Sequence, residues 1–281
     1  MEFGKTELGD RMKMYEKEST INYTNHIVIR VDGNNFSKFT KMVMKKPFDA
    51  VFTKATVNTM NDMIGQFNIS TAFCCSDEIT FVIRSTPEGV GHAFNGRVHK
   101  LNSLISGKCS VLFLINILKE IDDQTTRANI LECAPCFDSR IMEFDKTIES
   151  EISRNIYWRS CHDCYRNCIS SIGRFIIGNK MIHKKNTLQI AETMKNQYSF
   201  DVENIPMCLR YGVYAKKFTV CKVNDAGEQY ERTVVKNFTF KINPEAPGII
   251  DYILQKKDSG EEYKKFSGEI FEVNETSYSF S

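Results

Sequence analysis

Apolar and polar positions along this chain follow two different periods, and the changes of period mark its elements. His26-Ile-Val-Ile-Arg-Val-Asp32 is a nearly unbroken apolar run, which predicts a buried strand ending on a carboxylate and then Gly33. Across residues 48–66, Val51, Ala55, Val57, Met60 and Ile64 recur at helical spacing. Thr71-Ala-Phe-Cys-Cys75 and Ile79-Thr-Phe-Val-Ile-Arg84 are two strands parted only by Ser76-Asp77-Glu78, a tight hairpin with acids at its tip. Residues 85–95, with Pro87, Gly89 and Gly91, read as a loop. A long helix follows, with Val98, Leu101, Ile105, Leu112 and Ile115 close to one face. Residues 122–129 read as polar linker and 135–142 as a fourth strand. Residues 152–177 read as a second long helix and 187–198 as a shorter one. Residues 8–19 have the pattern of a short charged helix. The tail is β-rich over 211–223 and 229–240, around the turn Asn224-Asp-Ala-Gly227. From residue 243 onward Pro244, Pro247 and polar residues predict a loosely held end.

Strand, helix, hairpin, helix, strand is the order of a split β-α-β sheet with helices on one face. The fold class expected is α+β: an antiparallel, polymerase palm-like (ferredoxin-like) sheet with long helices packed on it and a C-terminal β-hairpin extension. Residues 1–145 would form the catalytic core, 146–218 a helical part with the strand completing it, and 219–281 the hairpin and tail.

Composition narrows the partners. Lys and Arg number 37 against 35 Asp and Glu, a net charge of +2, so a nucleic acid would have to be held by a local basic face. Ten cysteines follow an N-terminus that is charged and lacks the apolar stretch of a signal peptide. Free thiols in a reducing cytoplasm are therefore expected. The longest apolar run, 111–115, is far shorter than a membrane span, and no membrane partner is expected.

Asp32 and Asp77 carry the chemistry. Nucleotidyl transfer needs charge neutralisation more than a covalent protein group, and carboxylates hold magnesium ions that bridge phosphates. Two carboxylates on adjacent strands, with a backbone carbonyl beside one of them, meet that need. Gly33, without a Cβ, lets the main chain approach a metal and triphosphate. Asp-Gly is also a common turn and Ser-Asp-Glu an ordinary hairpin loop, so each motif alone has a structural explanation. By themselves these residues specify a palm-like metal site with its reaction undetermined.

Longer blocks carry a resemblance. Leu8-Gly-Asp-Arg-Met-Lys-Met-Tyr-Glu16, Arg30-Val-Asp-Gly-Asn-Asn-Phe-Ser-Lys-Phe39, Lys46-Pro-Phe-Asp49 and Cys75-Ser-Asp-Glu-Ile-Thr-Phe81 occur in order. Gly96-Arg97 with Lys100 and Ser103, Phe137-Asp-Ser-Arg140, Arg166-Asn-Cys-Ile-Ser170, residues 183–187 and Arg210-Tyr-Gly-Val-Tyr214 follow. Together, over roughly residues 8 to 217, they resemble the tRNA-histidine guanylyltransferase-like proteins, which extend RNA in the 3′-to-5′ direction. The resemblance implies two magnesium ions, ATP and GTP as substrates, tRNA as partner and a homotetramer. It implies Asp32, Gly33 and Asp77 as metal ligands and Glu78 as a supporting catalytic acid. Asp32, Gly33, Asn34, Asn35, Phe36, Ser37, Lys46, Ser76 and Asp77 would contact nucleotide. Arg97, Lys100, Arg140, Arg166, Asn167 and Lys185 would contact triphosphate or the RNA 5′ end. Where the eukaryotic tRNA-histidine enzymes carry His-Ile-Asn-Asn, this chain has Cys164-Tyr-Arg-Asn167, which is similar to the branch that repairs 5′-truncated tRNAs. The stretch Tyr157-Trp158-Arg159 before Asp163 is one residue longer than the family pattern, and Ser160 stands where that pattern has glutamine or glutamate.

Other readings use other residues. A nucleotide cyclase-like enzyme would share the sheet and the paired acids without needing RNA. Cys133-x-x-Cys136 and Cys161-x-x-Cys164 have zinc-ligand spacing, the basis of a non-catalytic zinc-stabilised RNA-binding module. The second pair falls in a predicted helix, whereas zinc ribbons use knuckle turns. Cys74 and Cys75 are read as facing opposite sides of a strand, and Trp158 as packing.

Overall fold

The computed structural model describes residues 5–272 apart from 88, 89, 225 and 226. Its helices, in chain order, are α1 (Lys5–Lys13), α2 (Phe36–Val43), α3 (Ala50–Gln66), α4 (Val98–Lys119), α5 (Gln124–Cys133), α6 (Ser150–Tyr157), α7 (Tyr165–Ile176), α8 (Asn179–Ile182), α9 (Thr187–Tyr198), α10 (Met207–Tyr211) and α11 (Ile249–Leu254). The strands are β1 (His26–Asn34), β2 (Thr71–Cys75), β3 (Glu78–Ile83), β4 (Cys136–Phe144), β5 (Val213–Val223), β6 (Gln229–Thr239), β7 (Lys257–Asp258) and β8 (Glu269–Ile270). A π-helix, Trp158–Cys164, joins α6 to α7.

All strands belong to one sheet, in the order β4-β1-β3-β2-β5-β6-β8, with β7 pairing in parallel beside β5 and the other pairs antiparallel. The order β4-β1-β3-β2, with α3 following β1 and α4 following β3, is the expected split β-α-β core. The hairpin β5-β6 extends the sheet beyond β2.

Helices cover both faces of the sheet rather than the single face expected. Ile27, Ile29 and Val31 enter a core with Ala55, Met60, Ile105 and Phe113, from α3 and α4. Val28 points the other way, toward Ile152 and Ile156 of α6 and Ile253 of α11. A strand with an unbroken apolar run has two faces to bury, and both need a cover. Cys74 and Cys75 divide between the two cores as expected. A third core joins Ile169 and Ile172 of α7 to Ile190 and Met194 of α9.

Other elements depart from the sequence pattern for local reasons. α1 stops at Lys13, and Met14 and Tyr15 beyond it are largely exposed, so nothing packs to extend the helix. Residues 124–133 are helix rather than linker: the Asp123 carboxylate accepts from the Thr126 N–H at 2.7 Å, and Ile130 anchors the turn in the core. Residues 249–266 are packed rather than loose, burying Ile249, Tyr252, Ile253, Leu254 and Tyr263. They are tied down by Lys216, wholly buried, whose Nζ donates to the Thr71 hydroxyl and the Gln255 carbonyl at 2.6 Å each and to the Ser70 carbonyl at 3.1 Å. α4 is by length and composition apolar enough to cross a membrane, which counting contiguous apolar residues overlooked. Its Leu101, Ile105, Cys109, Phe113 and Ile117 are core residues.

The π-helix falls on the stretch where the resemblance implies one residue more than the family pattern. Inserting a single residue into an α-helix widens one turn to i→i+5 hydrogen bonds, so the rod continues while its two halves keep separate packing faces.

Candidate active site

Register places the acids. Asp32 lies opposite Glu78 of β3 and, on its other side, opposite Asp138 of β4. Opposed residues of an antiparallel pair share a face, so Glu78, Asp32 and Asp138 form a row along one rim, with Thr80, Arg30 and Arg140 in the row behind. Arg30 Nε donates to Glu78 Oε2 at 2.6 Å and Nη2 to Asp32 Oδ2 at 2.5 Å. From the π-helix, Arg159 Nε forms an ion pair with Glu78 Oε1 at 3.5 Å, too long for a hydrogen bond, while its Nη1 donates to Asp163 at 2.7 Å. Arg166 closes the series on Asp163 at 3.0 Å. Charges of opposite sign thus alternate from β1 across to α7.

Asp77 stands at the hairpin turn beside this row. The Gly33 N–H donates to the Asp77 carbonyl at 3.1 Å, locking the two motifs together. A Cβ at position 33 would lie 2.5 Å from the Phe36 ring and 3.0 Å from Asp77 Cβ. Glycine is therefore a steric requirement for the approach. Burial raises the Asp77 carboxyl above the ordinary carboxylate range and the Asp32 charge pushes the same way, while hydrogen bonds from its own N–H and from Ser76 and the charge of Arg30 oppose them. Burial also raises Glu78, against the pull of Arg159 and Arg30.

Asp77 opens on a cavity lined by Phe36, Ser37, Thr40, Ser76, Arg166, Asn167, Ser170, Ser171 and Arg174. Thr40, Ser76, Asn167 and Ser171 are shared with a neighbouring, more apolar hollow walled by Lys46, Pro47, Phe48, Asp49, Phe52, Cys75 and Cys164. Lys46 is exposed at its mouth, its Nζ 3.3 Å from the Thr40 hydroxyl. The structure thus gathers Phe36, Ser37, Ser76, Asp77, Arg166 and Asn167 around one cavity, with Gly33, Asp32 and Glu78 beside Asp77 on the sheet rim and Lys46 on the adjoining hollow. Phe36 is a core residue first, ringed by Phe39, Phe52, Phe113 and Phe137, with its edge on the cavity. Asn34 and Asn35 are exposed at the β1–α2 junction, Asn35 with φ 58°.

The other predicted cations do not line either cavity. Arg97 caps the start of α4 and bridges to Thr20, and Lys100 lies 5.2 Å over the Phe94 ring. Lys185 donates to the Thr193 hydroxyl at 2.9 Å, a local tie to α9. Arg140 flanks the acid row from β4, 3.8 Å from Asp138. Arg30, Asp138, Arg159, Asp163 and Arg174 received no role from the sequence. Arg30 was within reach of it, being two residues from Asp32 and hence on the same strand face. Trp158, expected to pack, is 51% exposed.

Among the described residues no group of three or more His, Cys, Asp or Glu side chains is placed to hold a metal ion. Cys133 packs against the core on one side of the sheet and Cys161 against the core on the other, so the two cysteine pairs do not converge. The rim offers a different donor set: two carboxylates and the main chain of Gly33. Hard oxygen donors of that number suit magnesium, which is held by one or two carboxylates together with substrate phosphates.

The sequence profile of the tRNAHis guanylyltransferase family matches residues 9–145. An uncharacterized protein of Acanthamoeba polyphaga mimivirus is 34% identical over 251 residues, 84% of this chain and 85% of that protein. The tRNA(His) guanylyltransferase of Debaryomyces hansenii is 31% identical over 158 residues, covering 56% of each chain. Among solved structures, a bacterial tRNA(His) guanylyltransferase-like protein in complex with ATP has the same fold, with a TM-score of 0.70 at 18% identity over 88% of this chain and 98% of that one. The Saccharomyces cerevisiae tRNA(His) guanylyltransferase superposes with a TM-score of 0.57 at 21% identity, over 72% and 90%. With the ordered blocks in the sequence and the paired acids on the rim, these similarities place the chain in the tRNAHis guanylyltransferase-like family.

Proposed function

We propose that this chain is a magnesium-dependent nucleotidyltransferase that adds nucleotides, in the 3′-to-5′ direction and against a template strand, to the 5′ end of truncated tRNA. The observation that carries it is the closeness of Asp32 and Asp77 at one rim, with Asp77 opening on a cavity bordered by Arg166 and Asn167. Asp32, Asp77 and the Gly33 carbonyl would hold magnesium, two ions in all with the substrate's phosphates. Magnesium bound there would neutralise the triphosphate and favour attack at phosphorus. Glu78 supports Asp32 through the shared Arg30, which orients both carboxylates. Arg166, steadied by Asp163, offers a planar donor pair to phosphate, and Asn167 an amide. The hollow between Lys46 and Phe48 has the apolar walls and polar mouth that suit the base of ATP or GTP.

Reaction in this family's sense would proceed by activating the RNA 5′-phosphate with ATP or GTP, which joins the nucleoside monophosphate to it and frees pyrophosphate. Attack by the 3′-hydroxyl of an incoming nucleoside triphosphate on that RNA phosphorus would expel the monophosphate, and hydrolysis would remove pyrophosphate from the new 5′ end. Cys164 favours repair over guanylate addition to tRNAHis. It fills the position of the family's histidine, where a 2% exposed thiol donating to the Leu209 carbonyl from the wall of the apolar hollow replaces an imidazole. The described cysteines are all free, which suits the cytoplasm proposed as the site of action. A homotetramer belongs to the same proposal.

The deciding experiment incubates the protein with magnesium, all four triphosphates and a panel of 5′-truncated and full-length tRNAs. Stepwise, template-matched lengthening of truncated tRNAs is expected. A single guanylate added to tRNAHis alone would replace repair with that activity, and no lengthening of any tRNA beside a working control enzyme would overturn both.

A further inference from the structure

Trp158, His162, Arg166 and Arg174 are exposed along the rod of the π-helix and α7, with Ser170 half-buried between the two arginines. The exposed Trp158 indole lies on the His162 imidazole, with centroids 5.1 Å and planes 26° apart. Tyr157 meets the same imidazole edge-on, also at 5.1 Å. The aromatic pair is thus held in place without a ligand, which lowers the ordering cost of binding one. Further along the stripe, Arg166 and Arg174 border the Asp77 cavity with Ser170 between them. At the aromatic end, Arg159, next to Trp158, reaches Glu78. A half-exposed indole offers a stacking surface, and arginines about one and three turns beyond His162 offer phosphate contacts. Stacking beside cations is how proteins hold single-stranded nucleic acid irrespective of sequence.

We infer that this stripe binds the unpaired end of the acceptor RNA, with a base stacked on Trp158 and backbone phosphates on Arg166 and Arg174. The inference rests on the RNA-extension reading of the carboxylate rim. Trp158 is the chain's one tryptophan, so indole fluorescence reports on this position alone. The full chain is titrated with a fluorescein-labelled RNA hairpin bearing an unpaired end, with the same hairpin made blunt, and with ATP. Fluorescein anisotropy follows RNA binding independently. Saturable indole quenching by the unpaired end and much less by the blunt hairpin or ATP is expected. Trp158→Ala is expected to bind the unpaired hairpin about tenfold more weakly, and Trp158→Phe to retain most of the affinity. RNA binding without quenching, or equal affinity in Trp158→Ala, overturns the stripe and leaves the extension reading standing. Quenching by ATP as strong as by RNA overturns it too, by assigning Trp158 to the nucleotide. ATP binding with no RNA binding overturns the stripe and the extension reading together.

Discussion

At position 33 a methyl group would overlap the Phe36 ring and press on Asp77, so one hydrogen atom sets the spacing of the rim. Gly33→Ala is expected to cost about 1–3 kcal/mol of stability from overpacking. Its rate should fall about a hundredfold, because Asp77 must shift. A denaturant midpoint and kcat measured together check this; unchanged kcat would remove Gly33 from the site. Protonation acts at the same scale. Burial and the Asp32 charge raise the Asp77 carboxyl, so the metal-free protein keeps a proton there at pH values where an ordinary carboxylate has lost it. Ionising it costs stability as pH rises through the raised value, and activity needs the ionised form. The rate should therefore fall on acidification at a higher pH than an ordinary carboxylate gives. Added magnesium, competing with the proton, should move that limb lower. A limb indifferent to magnesium concentration would detach Asp77 from metal binding. Asp32, Gly33 and Asp77 were legible in the sequence because each ends or joins a strongly patterned strand. Arg159 and Asp163 were not, since charged residues inside a helix look the same whether they face water or a partner from a distant strand.

Elements explain how those distant partners arrive. The hairpin β2–β3 and strand β1 were readable from their apolar runs, and α9 from residues 187–198, where Asn186 and Gln189 form a capping box. α5 was obscured by its polar face, and α11 by the prolines before it. Neither cap geometry nor long-range packing is visible in local composition. The π-helix was legible only as an extra residue, yet it sets the phase between α6, packed on the sheet, and α7, packed on α9. Deleting Cys161 should restore α-helical phase and turn Arg159 roughly 100° relative to α7, from the 3.6-residue period. Contact between Arg159 and Glu78 would be lost, with a lower thermal midpoint and slower extension. A deletion variant as active as the parent would show that the wide turn has no part in the site.

For the molecule as a whole, the carboxyl-terminal segment is held by a buried polar knot. Lys216 donates to Thr71, Ser70 and Gln255, and burial pushes its amine down to about 7 against the charges of Asp258 and Glu262. Asp258 in turn accepts from the Tyr252 hydroxyl and from three main-chain N–H groups. Lys216→Met would leave those acceptors without a donor and is expected to cost about 3 kcal/mol, measured by denaturant unfolding. Stability in the parent should rise with pH from about 7 toward the ordinary lysine range, because over that window the unfolded chain binds the proton that the folded one releases. A Lys216→Met variant as stable as the parent would show the knot to be incidental. Nothing in the sequence marked Lys216, since a lysine in a β-rich tail reads as a surface residue until the strand order encloses it.

The account turns on Asp32 and Asp77 acting together on one magnesium-bound triphosphate. Its most direct measurement is the single-turnover rate of nucleotide addition to a 5′-truncated tRNA by Asp32→Ala and by Asp77→Ala, each with its unfolding midpoint recorded. Each variant is expected to remain folded and to lose at least about a thousandfold in rate, the scale on which transition-state charge stabilisation is lost. A folded variant of either residue that keeps its rate within about tenfold of the parent would contradict the account.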